Sequence, residues 1–385
     1  MNILFIYEKP LQPEAGGTER ITSLIISGLS SHNYNCIAML VCDYNSRKMS
    51  YDAKPIVDLY HFLKDKAIDV VINQIAYSTW LLEEFLKQGG ARWKQEGGRI
   101  FSCLHFDPQN PSALFNAKIS SHGTIKDYLN IAKTWLFYKR YEHKSNHSAA
   151  NTFEYIYTHS DKFIVLSKTH FKYMKSVWHR NDYSNLIAIN NPLTFKDISP
   201  VSICAQKQHI VLVVARMSEF HKRISIILKT WKQLVKEGSA KTWTLKIIGD
   251  GPSLTEYKKY VRDNELVNIT FLGQQNPEPY YAEASIFLMT SSAEGWGLTL
   301  TESLQRGVVP VVMNSSPVFS EIIENGKSGI LVKNNDYKAF ANAIRKLMKS
   351  EVTRITMSQN CLIQAKKFDL DNTINKWINE LGRNE

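Results

Sequence analysis

No stretch of this sequence stays apolar for long. The longest runs, such as IVLVVA at 210–215, fall far short of the roughly 20 residues that a membrane-spanning helix needs. Cysteine is sparse. Cys36, Cys42, Cys103, Cys204 and Cys361 stand apart, with no CxxC pair and no zinc-type spacing, so reduced, mostly buried thiols of a cytoplasmic protein are the expectation. The start, MNILFIYEKP, lacks the basic segment that would precede the apolar run of a secretory signal and reads as a first core strand. Negative charge is in deficit, with 36 acidic residues against 47 basic ones and a formal net charge of +11. That balance suits an anionic membrane face, phosphorylated small molecules or nucleic acid, and equally an ordinary solvated surface. Helix-turn-helix, zinc-finger and aromatic RNA-binding patterns are absent, which makes nucleic acid the weakest of these partners.

What is present is a globular composition, 44% hydrophobic and 22% charged, in a chain of 385 residues. That length exceeds one ordinary core and implies two domains. Strands are predicted at 2–7, 35–41, 69–74, 99–105 and 162–167, with a helical stripe of Ile21, Leu24, Ile25 and Leu29 between the first two. After a polar stretch at 190–208, read as the linker, strands are predicted at 209–215, 244–249, 269–273, 285–290, 308–313 and 329–333. A helix is predicted over 223–238. Continuously apolar strands alternating with helices argue for parallel sheets covered on both faces. The expectation is two doubly wound α/β domains, 1–197 and 198–367, with a C-terminal helix (368–385) packing back on the first and a ligand site at the carboxyl ends of the strands. Over fifty residues between CLHFDP and KFIVLS show no strand pattern. Within them, IKDYLNIAKTWLFYKRYEHK (125–144) sets Trp135, Leu136, Phe137 and Tyr138 beside Lys133, Lys139 and Arg140. That mixture suits either an anionic bilayer or a core-packed helix with a solvated basic face.

Four stretches carry chemistry. EAGGTER (14–20) puts Gly16 and Gly17 where a strand turns into a helix, a place suited to phosphate, or simply a turn capped by Thr18. ARMSEFHKR (215–223) sends Arg216 from a strand end and has Lys222 and Arg223 open the next helix. An Arg fork with a Lys point charge can hold a diphosphate; the alternative is an ordinary basic surface. IIGDGPS (247–253), with Gly249, Asp250 and Gly251, resembles a nucleotide-binding turn, although a full GxGxxG is absent. SSAEGWGLTLTES (291–303) places Glu294 in a glycine turn and Glu302 inside the following helix, whose first N–H groups come from Gly297, Leu298 and Thr299. Two carboxylates around a helix N-terminus can grip a sugar, a ribose and a phosphate at once; the alternative is a solvated Glu followed by a helical one.

Together these motifs make the chain resemble the GT-B retaining glycosyltransferases of family 4. The resemblance covers nearly the whole length and is strongest over about 209–335, in VARMSEFHKRISIILKTW, LKIIGDGP, ITFLGQ, EGWGLTLTE and VFSEIIENGKSGILV. It implies a GT-B fold, two Rossmann-like domains facing each other across a cleft, the first (1–197) binding the acceptor and the second (198–367) the nucleotide-sugar. It further implies Gly17 near the donor phosphate, Arg216 and Lys222 on the diphosphate, Glu294 on the transferred sugar, Glu302 on the ribose and the amides from Gly297 to Thr299 on phosphate. His105, in CLHFDP, falls where such enzymes often keep a His or Asp near the reacting carbon. The implied activity is retaining, metal-independent transfer from a UDP- or GDP-sugar to a saccharide or lipid-linked saccharide, for surface polysaccharide or glycolipid synthesis. The implied place is the cytoplasm or the inner face of the cell membrane, with no further cofactor. Two alternatives stay open: a degenerate GT-B subunit that binds a protein partner, or a GT-B enzyme of the sucrose-synthesis or phosphorylase type.

Overall fold

The computed structural model describes residues 1–14, 16–109 and 138–382. Two compact units divide the chain. The first comprises Met1–Pro108, Lys139–Thr194 and the segment from Leu370 onward; the second contains Phe195–Asp369.

The first unit is built on an eight-stranded sheet in the order β4-β3-β2-β1-β5-β6-β7-β8. Its strands are β1 (Asn2–Tyr7), β2 (Asn35–Cys42), β3 (Met49–Tyr51), β4 (Lys54–Pro55), β5 (Val70–Asn73), β6 (Arg99–Leu104), β7 (Lys162–Val165) and β8 (Leu186–Ala188). All adjacent pairs are parallel except β2–β3 and β3–β4. Ile3 aligns with Cys36 on one side and Val70 on the other. Residues Ile3–Ile6 are buried on both faces of β1, as expected where helices cover both sides of a parallel sheet. The chain leaves β1 toward β2 and later returns to β5 on β1's other side, so the strand order reverses between β1 and β5.

The second unit repeats this plan with six parallel strands ordered β11-β10-β9-β12-β13-β14. They are β9 (Gln208–Val214), β10 (Thr244–Ile248), β11 (Ile269–Gly273), β12 (Ala284–Met289), β13 (Val309–Asn314) and β14 (Ile330–Lys333). Leu212 pairs with Lys246 and with Phe287. The order reverses here between β9 and β12. Each unit has its own core, the second around Val211, Val213, Leu245, Leu288 and Val311.

Several expectations need correction. The β3–β4 hairpin was not legible because its turn residues, Asp52 and Ala53, adopt positive φ (47° and 60°) without the Asn-Gly or Asp-Gly signal that usually announces such a turn. β8, three residues long, was also missed. The helix expected over 223–238 is present as Ile224–Lys236, and Arg223 at φ 50° separates it from a short preceding helix, Glu219–Lys222. Lys222 therefore closes one helix and does not open the next. Thr18 is not a cap; the N-cap of Gly17–Ser31 is Gly16. The stretch read as a linker docks on its own unit from Phe195, whose N–H donates to Gln305 Oε1 and whose carbonyl accepts from Gln305 Nε2. It also contains a 3₁₀ turn, Val201–Ala205.

Leu370–Gly382 is a helix of the first unit. Ile374 lies so close to Gly28 that a Cβ there would come within 2.5 Å of it, Asn190 Nδ2 donates to Thr373 Oγ1, and Arg99 Nη2 donates to the Leu381 carbonyl. Of the basic-aromatic stretch 125–144, residues 125–137, including Lys133, Trp135, Leu136 and Phe137, lie outside the described residues; the remainder begins the helix Tyr138–His159. Among the described residues no helix is long and apolar enough to cross a membrane. The five cysteines are free, and four of them are buried.

Candidate active site

Open α/β sheets bind ligands outside the carboxyl ends of their strands, where the strand order reverses. In the second unit that point lies between β9 and β12, and most of the chemistry-bearing residues expected there converge on it. Arg216 follows β9 and is exposed. Lys222 closes the short helix after it. Glu294 lies in the loop after β12, and its Oε1 accepts a short hydrogen bond from Lys222 Nζ, an ion pair with both partners largely covered.

The loops that carry these groups are stitched together. Thr290 Oγ1 donates to the Lys222 carbonyl at 2.8 Å, and Ser292 N–H donates to the His221 carbonyl at 2.8 Å. From the far side, Ser315 Oγ donates to the Ser291 carbonyl and Ser316 Oγ to the Glu294 carbonyl. The hydroxyls thus occupy backbone acceptors that the irregular loops would otherwise leave unpaired. The indole of Trp296, buried edge to face against Phe368 at 5.3 Å, anchors the same loop.

Electrostatics confirm the clustering. The pKa of His221 is pushed down first by burial and then by the charges of Lys222 and Arg216, with Glu294 opposing. A narrow pocket is lined by Ala215, Lys222, Thr290, Ser291 and Thr299. Gly297 takes φ 97° as the N-cap of the helix Leu298–Gln305, a conformation that favours glycine. No side chain caps this helix, so the partly exposed Leu298 and Thr299 carry its first N–H groups. Glu302 lies one turn on, in the same helix, and is only 1% exposed.

Arg223, beside Lys222, was not expected to differ from it. It is 1% exposed. Its guanidinium donates to the carbonyls of Thr290 and Ser291 and to the side chains of Asn334 and Asn335. It is a brace for the β12 loop. A left-handed backbone at a non-glycine residue costs about 1–2 kcal/mol, which four charge-assisted bonds offset.

The glycines of IIGDGPS have a backbone role. A Cβ at Gly249 would stand 2.0 Å from the Ala215 carbonyl oxygen, and one at Gly251 would stand 2.7 Å from that of Met217. The close approach lets Met217 N–H donate to the Asp250 carbonyl and Ser253 N–H to the Met217 carbonyl, each at 2.9 Å. The turn therefore supports the segment that carries Arg216, and Asp250 itself is exposed.

Gly16, Gly17 and His105 belong to the first unit. Glu19 folds back over the helix N-terminus there, so that a Cβ on Gly16 would meet its Oε2 at 2.6 Å. An anion at this N-terminus would meet that carboxylate. His105 follows β6 and shares a short hydrogen bond with Gln74 Oε1 through Nε2. Because Oε1 only accepts, Nε2 carries the proton and Nδ1 is left as an acceptor. Burial pushes the His105 pKa down to about 4, so the ring is neutral near pH 7. Gln74 Nε2 is buried without a hydrogen-bond partner among the described residues. Among these residues no group of three or more His, Cys, Asp or Glu could hold a metal ion.

Residues 195–367 match the family of glycosyl transferases group 1. An uncharacterised glycosyltransferase of Haemophilus influenzae is 22% identical over 371 residues, covering 94% of this chain and 95% of its own. A poly(glycerol-phosphate) alpha-glucosyltransferase of Bacillus subtilis is 28% identical over 198 residues; these are 51% of this chain but only 28% of that protein. HepE of Anabaena, solved with UDP and glucose, has a TM-score of 0.67 at 16% identity, covering 98% of each chain. The fold is GT-B, and these matches support the glycosyltransferase family.

Proposed function

We propose that the protein is a retaining, metal-independent glycosyltransferase. It moves a sugar from a nucleotide-sugar to a saccharide or lipid-linked saccharide in surface polysaccharide or glycolipid synthesis. The observation that carries this reading is the Lys222–Glu294 pair, set beside Arg216 and the first amides of Leu298–Gln305 at the point where the second sheet's strand order reverses. Two cations, one carboxylate and the first backbone N–H groups of a helix in one place suit a ligand that is anionic at one end and rich in hydroxyls at the other. A nucleoside diphosphate sugar has that form.

In this reading Arg216, Lys222 and the amides from Gly297 to Thr299 hold the diphosphate and stabilise the charge that grows as it leaves. Such preorganised donors are worth about 3–4 kcal/mol each. Glu294 holds Lys222 in place and accepts hydroxyls from the transferred sugar. Glu302 accepts the ribose diol, with Gly249, Asp250 and Gly251 bordering the nucleoside. On the first unit, Gly16 and Gly17 can take a phosphate only once Glu19 turns aside from the helix N-terminus, and neutral His105 offers Nδ1 as a hydroxyl acceptor. No carboxylate is assigned as a covalent nucleophile; the departing diphosphate takes the acceptor's proton on the same face. UDP is the first nucleotide to test, since HepE was solved with UDP. The net charge of +11 suits work at an anionic membrane face on a lipid-linked acceptor.

The deciding experiment is thermal-shift screening of the pure chain against UDP, GDP and ADP and their sugars, followed by proton NMR of the product's anomeric centre. Stabilisation by one nucleotide and an unchanged anomeric configuration are expected. No nucleotide-dependent shift and no turnover of any sugar nucleotide would sink the reading.

A further inference from the structure

Lys222 stands at the end of a helix that cannot hold itself. Glu219–Lys222 is four residues long, its N-cap Ser218 makes no side-chain capping bond, and left-handed Arg223 breaks it from Ile224–Lys236. A helix so short has no stability of its own. Its tilt, and with it the place of the Lys222 ammonium, is set by what grips it from outside. At its C-terminal end the Arg223 guanidinium reaches the loop after β12. At its N-terminal end the grip is Glu219.

The Glu219 carboxylate uses both oxygens on neighbouring helices. Oε1 accepts from Ser225 Oγ at 2.6 Å, and Oε2 accepts from the Ser225 N–H at 3.1 Å and from the Tyr257 phenol at 2.8 Å. Ser225 lies past the break, in the first turn of Ile224–Lys236, where Arg223 offers no side-chain cap. Glu219 supplies that cap from the helix before, at a place where free N–H groups and the positive dipole end favour an anion. Tyr257 belongs to the helix Leu254–Asp263 and is 4% exposed. Burial, and then the charge of Glu219, hold its phenol pKa well above the ordinary value, so it stays a donor. Ser253 completes the set: its N–H donates to the Met217 carbonyl at 2.9 Å, and its Oγ accepts from the Glu219 N–H at 3.2 Å. One carboxylate thus joins three helices, one turn before Lys222. Three protein donors fill it, which gives it the work of orientation and not of ligand binding.

That work matches what the pocket needs. A donor lowers a barrier only if it is in place when the charge develops, and a misplacement of about 1 Å can cost roughly 100-fold. We infer that Glu219 and Tyr257 are positioning residues for Lys222. The phenol fixes the carboxylate, and the carboxylate fixes the tilt of the short helix across the Arg223 break. The ammonium at its end is thereby held against Glu294. The effect on turnover rests on the transferase reading; the effect on anion binding by Lys222 does not.

The test is a double-mutant cycle on the full chain. Tyr257→Phe and Glu219→Gln, each alone and combined with Lys222→Ala, are titrated calorimetrically with UDP and with pyrophosphate and assayed for kcat and KM. Thermal unfolding gives the folded fraction of each. UDP Kd should rise roughly 3- to 10-fold in either single variant, part of the weight of one charge-assisted hydrogen bond, and kcat should fall roughly 10- to 100-fold. In the Lys222→Ala background both effects should shrink below about twofold, because the group being placed is gone. A purely structural role would give losses that add to that of Lys222→Ala. Unchanged binding and turnover, additive losses, or losses that follow the folded fraction alone overturn the proposal and leave the transferase reading standing if the wild-type chain turns over a sugar nucleotide. Non-additive loss of UDP and pyrophosphate affinity in a chain without turnover upholds the positioning role and sinks the transferase reading. A chain that binds neither anion sinks both.

Discussion

The two sheets reverse their strand order in the same way yet furnish the reversal differently. Around β9 and β12 the rim consists of an ion pair, an exposed arginine, a helix start and hydroxyls bonded to loop backbone. Around β1 and β5 it consists of aromatic rings, Tyr77 edge to face with Phe106 and Tyr44 with Trp80, the Arg47 guanidinium laid across the second pair, and a neutral histidine. One architecture therefore offers charge in one unit and ring faces in the other. The backbone topology provides a place, and the side chains decide what chemistry the place accepts.

The sharpest way to break this comparison is to remove charge from the second rim. Lys222→Ala or Arg216→Ala should lower turnover roughly 100- to 1000-fold, the loss of one preorganised donor of about 3–4 kcal/mol, measured as kcat with saturating donor. Thermal unfolding should show both variants folded. Ordinary turnover in either variant would leave the second rim as inert as the bland reading of a basic surface. Arg223→Met separates that rim's machinery from its support. Because the buried guanidinium holds two carbonyls and two asparagines, its removal should cost on the order of 3 kcal/mol of stability. Donor affinity per folded molecule should change little. If Tm held and UDP binding vanished, Arg223 would be a ligand group and the brace would be the wrong description.

That neighbouring pair shows where the sequence stopped being legible. A basic residue next to Lys222 reads as more of the same, and only the packing shows one side chain facing the pocket and the other sealed beneath the loop. The parallel strands were visible because burial on both faces makes them continuously apolar, as in Ile3–Ile6. The hairpin at Asp52–Ala53 was not, because its turn uses residues that carry no turn signal. Gly249 and Gly251 drew attention as a nucleotide turn, and the structure explains them by the backbone of Ala215 and Met217 pressing against them. The aromatic rim was invisible for a different reason. Tyr7, Tyr44, Tyr77, Trp80 and Phe106 sit on separate strand ends, and only the strand order brings them together.

Acid weakens both units, since His221 of the second rim is also pushed down, and His105 makes the effect testable in the first. In an unfolded chain a histidine titrates near 6.5, whereas His105 in the folded protein is pushed down to about 4 by burial. Between these values the unfolded state takes a proton that the folded state refuses. Stability must fall as pH drops from about 6.5 toward 4, with a slope of at most about 1.4 kcal/mol per pH unit from this group. The fully buried His170, also near 4, adds a second slope of the same sign. Denaturant unfolding followed from pH 7 to pH 4 should show the decline, and His105→Gln should remove one share of it. An unchanged slope in that variant would mean that His105 is not held neutral and would undo its assignment as an acceptor through Nδ1.

The smallest expected effect is the most discriminating, because it separates two carboxylates of one motif. Glu302, 1% exposed inside the helix, differs in setting from Glu294, which is paired with Lys222 at the pocket. Glu302→Gln keeps the shape and removes the charge that would strengthen bonds from a ribose diol. Donor Kd should rise roughly tenfold, the weight of one charge-assisted hydrogen bond, with kcat at saturation nearly unchanged. Glu294→Gln should do the reverse: it releases Lys222 and weakens the hold on the transferred sugar, so kcat falls while nucleotide affinity stays close to wild type, or rises as Lys222 is freed for the diphosphate. Isothermal titration with UDP beside saturating kinetics reads both. If the two variants shifted the same parameter by the same factor, the motif would act as one electrostatic unit, and the division of labour between the loop carboxylate and the helical one would have to be given up.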